Sequence, residues 1–415
     1  MEKKTNTPAL RFRGFDGPWE KKKLDDISMA FNYGLNAAAT NYDGRHKYLR
    51  ITDIDDESRQ FIMDNVTSPS INFAVAEEYK LQEGDIVFAR TGASVGKTYL
   101  YDPLDGDVYY AGYLIRAHIK PEYDPNFVFQ NTLTQSYARY IAITSQRSGQ
   151  PGVNAQEYSA YEIQVPSLAE QCCVGTTLQK LDNVIAKQAQ KIKKLEQFRQ
   201  AMLTKLFPAE GASEPALRFR DCFSPWKTAR LGDLGTTYGG LNGKTKKDFG
   251  HGAGRFVTYL NIFNNPIADL QGIEAVELDK TQNQVKYGDI FFTTSSETPE
   301  EVGMSSVWLG NDENVYLNSF CFGYRPLNNL YPYFMAYLLR STSIRKKFIF
   351  LAQGISRYNI SKNRVMDMYI PLPPIEEQKN IGDFLYSLDN FLSLQKEKLD
   401  KMRLLKAALL EKLFV

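Results

Sequence analysis

The chain has 415 residues, 43% hydrophobic and 24% charged. This is the balance of a soluble globular protein too long for one typical domain. A formal net charge of +2 neither demands nor excludes a nucleic-acid partner, but any such partner needs locally clustered cations. The cysteines Cys172, Cys173, Cys222 and Cys321 lack C-x-x-C spacing, and His46, His118 and His251 form no H-E-x-x-H pattern, which argues against a disulfide framework or a zinc site. No apolar run approaches a membrane span, and the expected setting is a reducing cytoplasm.

In chain order, Pro8-Ala-Leu-Arg-Phe-Arg13 and Pro18-Trp19 come first. Gly84-Asp-Ile86 then leads into the apolar run Val87-Phe-Ala, which has the character of a strand. The next stretch, Arg90-Thr-Gly-Ala-Ser-Val-Gly-Lys-Thr-Tyr-Leu-Tyr101, imitates a phosphate-binding loop. A P-loop has four residues between its glycines and opens a helix. Here only Ala93, Ser94 and Val95 separate Gly92 from Gly96, and the β-branched and aromatic residues that follow favour a strand. The stretch therefore reads as a turn between strands.

The whole arrangement then recurs. Pro215-Ala-Leu-Arg-Phe-Arg220 repeats the opening at an offset of 207, and the same offset relates Pro18-Trp19 to Pro225-Trp226. It also relates Ile163-Gln-Val-Pro166 to Ile370-Pro-Leu-Pro373, Glu170-Gln171 to Glu377-Gln378, and Lys205-Leu-Phe207 to Lys412-Leu-Phe414. Internal repetition on this scale sets the architecture before any motif is weighed. Gly288-Asp-Ile290 answers Gly84-Asp-Ile86, but the loop after it, Thr294-Ser-Ser-Glu-Thr-Pro-Glu-Glu-Val-Gly303, has no Gly-Lys-Thr and carries three glutamates that would repel phosphate. The pattern is a shared scaffold with divergent loops.

Each half ends in a heptad-spaced helix. The first seam is Leu178, Leu181, Ile185, Gln188, Ile192 and Leu195, continuing to Leu206 with Arg199 at one seam position. The second is Leu385, Leu388, Leu392, Gln395, Leu399 and Met402, with Lys406 at the matching position. Either each helix docks on its own half, or the two pair with each other, and the narrow seams favour pairing. The chain must return after Phe207, so paired helices run antiparallel. Some ~28 residue steps at ~1.5 Å make a rod of roughly 40 Å. Gln188 and Gln395 either fix the register from within the seam or face solvent.

The duplicated L-R-F opening with Pro-Trp, the G-D-I strand with its variable loop, Pro371-Leu-Pro-Pro-Ile-Glu-Glu-Gln378 and the helix ending Lys-Leu-Phe resemble the specificity subunit of type I restriction–modification enzymes, over essentially the whole chain. The resemblance implies an α+β fold. Two similar β-rich target-recognition domains are each followed by a long helix, and the helices pair as an antiparallel coiled coil. The expected boundaries are recognition domains at residues 1–165 and 210–372 and spacer helices at 166–209 and 373–415. It also implies that each domain reads one part of a split, asymmetric double-stranded DNA target. The helices would set the gap and dock two modification (methyltransferase) subunits, which restriction (translocase and nuclease) subunits then join. Gly354-Ile-Ser-Arg-Tyr-Asn-Ile-Ser361 is similar to the family's G-x-x-x-x-N-I-S loop, whereas Gly149-Gln-Pro-Gly-Val-Asn154 departs from it, since Ala155 follows.

DNA reading needs cations for phosphates, and Arg, Asn, Gln, Ser or Thr for base edges. The candidates in the first domain are Arg90, Thr91, Lys97, Arg147 and Gln150. In the second they are Lys244, Lys246, Lys247, Thr294, Ser295, Gln353, Arg357 and Asn359. Lys244 to Lys247 suit phosphate anchoring; Arg90, Arg147 and Arg357 suit guanine; Asn154 and Asn359 have an alternative as turn caps. No methyltransferase, dinucleotide-binding, helicase or nuclease motif is present in the sequence. A non-catalytic chain without cofactor or metal is expected, with S-adenosylmethionine, ATP and Mg on the partner subunits.

Overall fold

The run Asp85–Ala89 is a strand buried along its whole length. In the computed structural model, which describes residues 6–147, 149–327, 330–355 and 357–415, it lies inside a four-stranded antiparallel sheet. The order is Ser28–Tyr33, Leu114–Ile119, Asp85–Ala89, Thr98–Leu100. Strand alternation sends Ile86 and Phe88 into one apolar cluster and Val87 and Ala89 into another, so both faces are covered. The second copy repeats the sheet as Gly235–Gly239, Cys321–Pro326, Ile290–Thr293, Ser305–Val307. Ile290 and Phe292 again enter one cluster and Phe291 another.

The G-D-I aspartates are structural. Asp85 is buried, accepts from the Gln82 amide at 2.7 Å and faces His118 Nδ1 at 2.8 Å; burial pushes its carboxyl up despite these partners. Asp289 accepts from the Lys286 amide at 2.8 Å and from Arg325 at 2.6 Å. Each copy is closed by a two-stranded antiparallel ribbon joining its first strand to its last, Glu20–Lys23 with Glu162–Val165 and Lys227–Arg230 with Tyr369–Leu372.

Two long helices, Leu168–Lys205 and Ile375–Leu413, follow the two copies. The chain divides into two compact units, residues 1–191 with 396–415, and residues 192–395, so each helix contributes to both. In the first unit Leu178 shares a core with Leu410 and Leu413, and Asp182 pairs with Lys406 at 2.6 Å. In the second, Leu206 shares a core with Leu385, and Arg199 Nη2 meets Asp389 Oδ2 at 3.0 Å. Within each unit the paired segments therefore run antiparallel. The two charged seam positions, Arg199 and Lys406, each find an aspartate, and the two aspartates are themselves equivalent across the repeat.

All twelve expected seam residues are buried or half-buried, Gln188 and Gln395 included, whereas Lys187, Lys193, Lys194, Lys398 and Lys401 are exposed. The Lys-Leu-Phe endings have a specific destination. Phe414 packs on Phe127 and Trp19 in the first unit, with ring centroids 5.0 and 6.4 Å away. Phe207 packs on Phe334, beside Trp226, in the second. Each Pro-Trp tryptophan is thus buried under the end of the helix that belongs to the other repeat.

Candidate nucleic-acid interface

In the first unit two loops meet. Thr91 bridges Gly152 in antiparallel fashion, the Gly92 amide donates to Pro151 O at 3.0 Å, and the Val153 amide donates to Arg90 O at 2.9 Å. This brings Arg90, Thr91 and Gln150 together; a side chain at Gly92, where φ is +77°, would meet Gln150 Nε2 at 3.0 Å. The Arg90 guanidinium lies over the Tyr33 ring, 5.0 Å from its centroid, a cation–π contact that orients it. Sequence reasoning missed Tyr33, whose position in another strand gives no local signal.

The phosphate-loop likeness fails physically. The amides of Gly92, Val95, Gly96 and Lys97 already donate to Pro151, Gly92, Ala89 and Ser94, which leaves no convergent nest for an anion. The next element is the strand Thr98–Leu100, not a helix. Lys97 itself needs correction as a DNA contact. Its side chain is 7% exposed, it donates to Ile54 O at 3.0 Å, and it pairs with Asp56. The ammonium is turned inward because the hairpin returns it beneath residues 54–56.

The second unit repeats the junction. Ser295 pairs with Asn359, Gln353 and Asn359 exchange backbone hydrogen bonds, and the Ile360 amide donates to Thr294 O at 2.9 Å. Thr294, Ser295, Gln353 and Asn359 therefore share one edge, and the exposed Arg357 lies in the same loop; Ser356 of this run lies outside the described residues. The Thr294 hydroxyl is engaged by Phe320 O at 2.8 Å. Val153 and Ile360 make equivalent bonds, which sets the register of the divergent loop. Asn154 is the counterpart of Ser361, and it caps the short helix Ala155–Ser159 by accepting from the Glu157 amide at 2.9 Å.

The remaining cations differ in commitment. Arg147 is exposed but held by Glu157 and by Thr144 O. Lys244 pairs with Asp279 at 2.9 Å and is only 13% exposed, so its charge is largely answered by the segment that follows the strand Ile273–Val276. Lys246 and Lys247 are exposed, as phosphate anchors must be. They lie in a different loop from the 294–359 edge.

The strongest repeat motifs build the scaffold. Arg11 grips the buried Glu170 through two hydrogen bonds of 2.7 Å, and Arg218 grips Glu377 likewise at 2.9 and 2.7 Å. Gln171 joins Pro166 O to the Asp124 amide, and Gln378 joins Pro373 O to the Tyr331 amide. The Leu-Arg-Phe arm and the Glu-Gln helix start are thus two sides of one bidentate clamp.

Among the described residues, no group of three or more His, Cys, Asp or Glu could hold a metal ion, and no helix is long and apolar enough to cross a membrane. Two stretches, residues 17–197 and 224–403, match the family described as type I restriction modification DNA specificity domain. The chain is 22% identical over 384 residues to the MjaVIII type I restriction enzyme specificity subunit of Methanocaldococcus jannaschii, covering 83% of this chain and 82% of that one. It is 28% identical over 196 residues to a protein of the same organism provisionally named type I restriction enzyme MjaX specificity subunit, a match spanning 46% of this chain and 45% of that relative. Its fold is similar to the crystal structure of a type I restriction–modification S subunit from M. genitalium, with TM-score 0.61 and 16% identity over 99% of each chain.

Proposed function

This chain belongs to the type I restriction modification DNA specificity family, and from that premise we propose that it reads a bipartite, asymmetric double-stranded DNA target for a methyltransferase and nuclease complex. The recognition domains are residues 1–165 and 210–372, and the spacer helices are 166–209 and 373–415. Each domain reads one part of the target; the paired helices set the gap and dock two modification subunits, which restriction subunits join. The chain itself is non-catalytic. S-adenosylmethionine, ATP and Mg belong to the partner subunits, and the complex works in the cytoplasm.

The observation that carries this reading is the repeated loop junction. In both copies a loop at the edge of the same sheet is tied to the segment that precedes the closing strand, while the residues displayed there differ. Arg90, Thr91 and Gln150 occupy one junction, and Ser295, Gln353, Arg357 and Asn359 the other. These are residue types able to read base edges, and Lys246 and Lys247 are available to phosphates. Unlike residues on like scaffolds suit an asymmetric target. The seam from Leu178 to Leu195 and from Leu385 to Met402 serves as the helix-pairing surface, supported by its burial.

Methylation-site sequencing of DNA from cells expressing the chain with its modification subunit tests the reading. A split motif that requires the chain, one part of which changes when residues 1–165 are exchanged for another recognition domain, is expected. A stable complex without chain-dependent methylation would overturn it.

A further inference from the structure

Tyr113 and Phe320 are separated by the repeat offset of 207 residues, and both are exposed, at 65% and 62%. Among the described residues they are the one offset-matched pair in which both members are exposed aromatics. Each is fixed in the same way beside its candidate reading edge: the Arg90 amide donates to Tyr113 O at 3.0 Å, and the Thr294 amide donates to Phe320 O at 3.1 Å. Both turns are also braced from behind. A Cβ on Gly34 would stand 2.2 Å from Ala111 O, and one on Gly240 would stand 1.9 Å from Asn318 O, so only glycine admits this approach. The Asn318 side chain adds a hydrogen bond from the Phe320 amide at 2.9 Å. Two large rings are therefore held in water on stiff turns, where burial would have stabilised them.

The loops around them diverge, as readers of different letters must. An aromatic ring at the same station in both copies points to a task that does not depend on the letter. Stacking on a base is such a task, because every base presents a π-face. An adenine that is to be modified must also leave the helical stack, which exposes the faces of its neighbours. Resting on the DNA-reading role proposed above, we infer that Tyr113 and Phe320 are matched aromatic wedges. Each stacks on a base exposed by local unstacking beside the half-site that its own domain reads.

The test uses the complete complex with its modification subunit and DNA carrying 2-aminopurine at successive positions of each half-site. Tyr113→Ala should weaken binding about 5- to 150-fold, the range for losing one base–aromatic stack, and abolish the fluorescence rise in the first domain's half-site only. Phe320→Ala should do the same in the other half-site. Tyr113→Phe and Phe320→Tyr should keep both properties, and the methylated motif should be unchanged throughout. Alanine variants that bind within about twofold with the fluorescence rise intact would overturn the inference. So would equal losses in the conservative variants, or alanine variants whose defect is failure to hold the modification subunit, which would make these rings a protein contact. A wild-type complex with no sequence-selective binding would instead sink the DNA-reading role itself.

Discussion

Lys97 carries a charge into a site where only 7% of its side chain meets water, held by Ile54 O and Asp56. Local spacing placed it in an exposed Gly-Lys-Thr turn; its partners lie about forty residues earlier, a distance over which sequence pattern carries no contact information. Lys97→Met keeps the stem but leaves the Ile54 carbonyl without its donor. It should cost about 1–3 kcal/mol of stability in the first unit and leave the methylated motif unchanged. Denaturant unfolding and motif sequencing check this, and a motif altered in one part would return Lys97 to the interface. A second residue-scale prediction concerns pH. The Thr281 hydroxyl and then the Lys244 ammonium hold the Asp279 carboxyl well below the usual carboxylate range. A depressed folded value means stability that is fully present above the unfolded pKa of about 4 and is lost as pH falls through the folded value. The difference in denaturation midpoint between the wild type and Asp279→Asn should therefore be present at pH 7 and shrink progressively below about pH 4. A difference that grows on acidification would contradict the pairing.

At the scale of elements, the motifs legible in the sequence were those whose two sides both repeat. Arg11 with Glu170 and Arg218 with Glu377 are visible as motifs because each copy needs the same clamp. The heptad seams announced paired helices, since apolar 3–4 spacing is a property of the helix surface. Their last turns were not legible. Hydrophobic periodicity cannot say that Phe414 enters the core around Trp19 and Phe127, or that Phe207 enters the one beside Trp226 and Phe334. The loop equivalence of Asn154 with Ser361 was equally hidden, because by letter Gly149 and Asn154 match Gly354 and Asn359 at an offset of 205, while the backbone bonds of Val153 and Ile360 keep the register at 207. This exchange of helix ends yields a crossed prediction. Phe414→Ala removes a side chain only 7% exposed and should cost about 3–5 kcal/mol in the unit containing residues 1–165. Phe207→Ala should do the same in the unit containing residues 210–372. Hydrogen exchange resolves the two: the amides of Asp85–Ala89 should lose protection in the first variant, and those of Ile290–Thr293 in the second.

For the molecule as a whole, a net charge of +2 is small for a protein that grips a polyanion. The structure narrows the supply further. Lys97 is buried on Asp56, Lys244 lies against Asp279, and Arg147 against Glu157. Among the proposed contacts, Lys246, Lys247 and Arg357 are exposed and Arg90 is half-buried on Tyr33. Each neutralised phosphate contributes about −0.9 to the slope of log K against log salt. With Arg90 and Arg357 turned to base edges, the two phosphate contacts of Lys246 and Lys247 give the isolated chain a slope of roughly −2, hence weak binding at physiological ionic strength. On the proposed reading, selectivity rests on base contacts and the modification subunits supply most of the phosphate grip. Salt titrations of the chain alone and of the complex should give a markedly steeper slope for the complex. If the chain alone already matched the complex, its grip would come from cations elsewhere, and Lys246→Ala with Lys247→Ala would leave that slope unmoved instead of reducing it by nearly two.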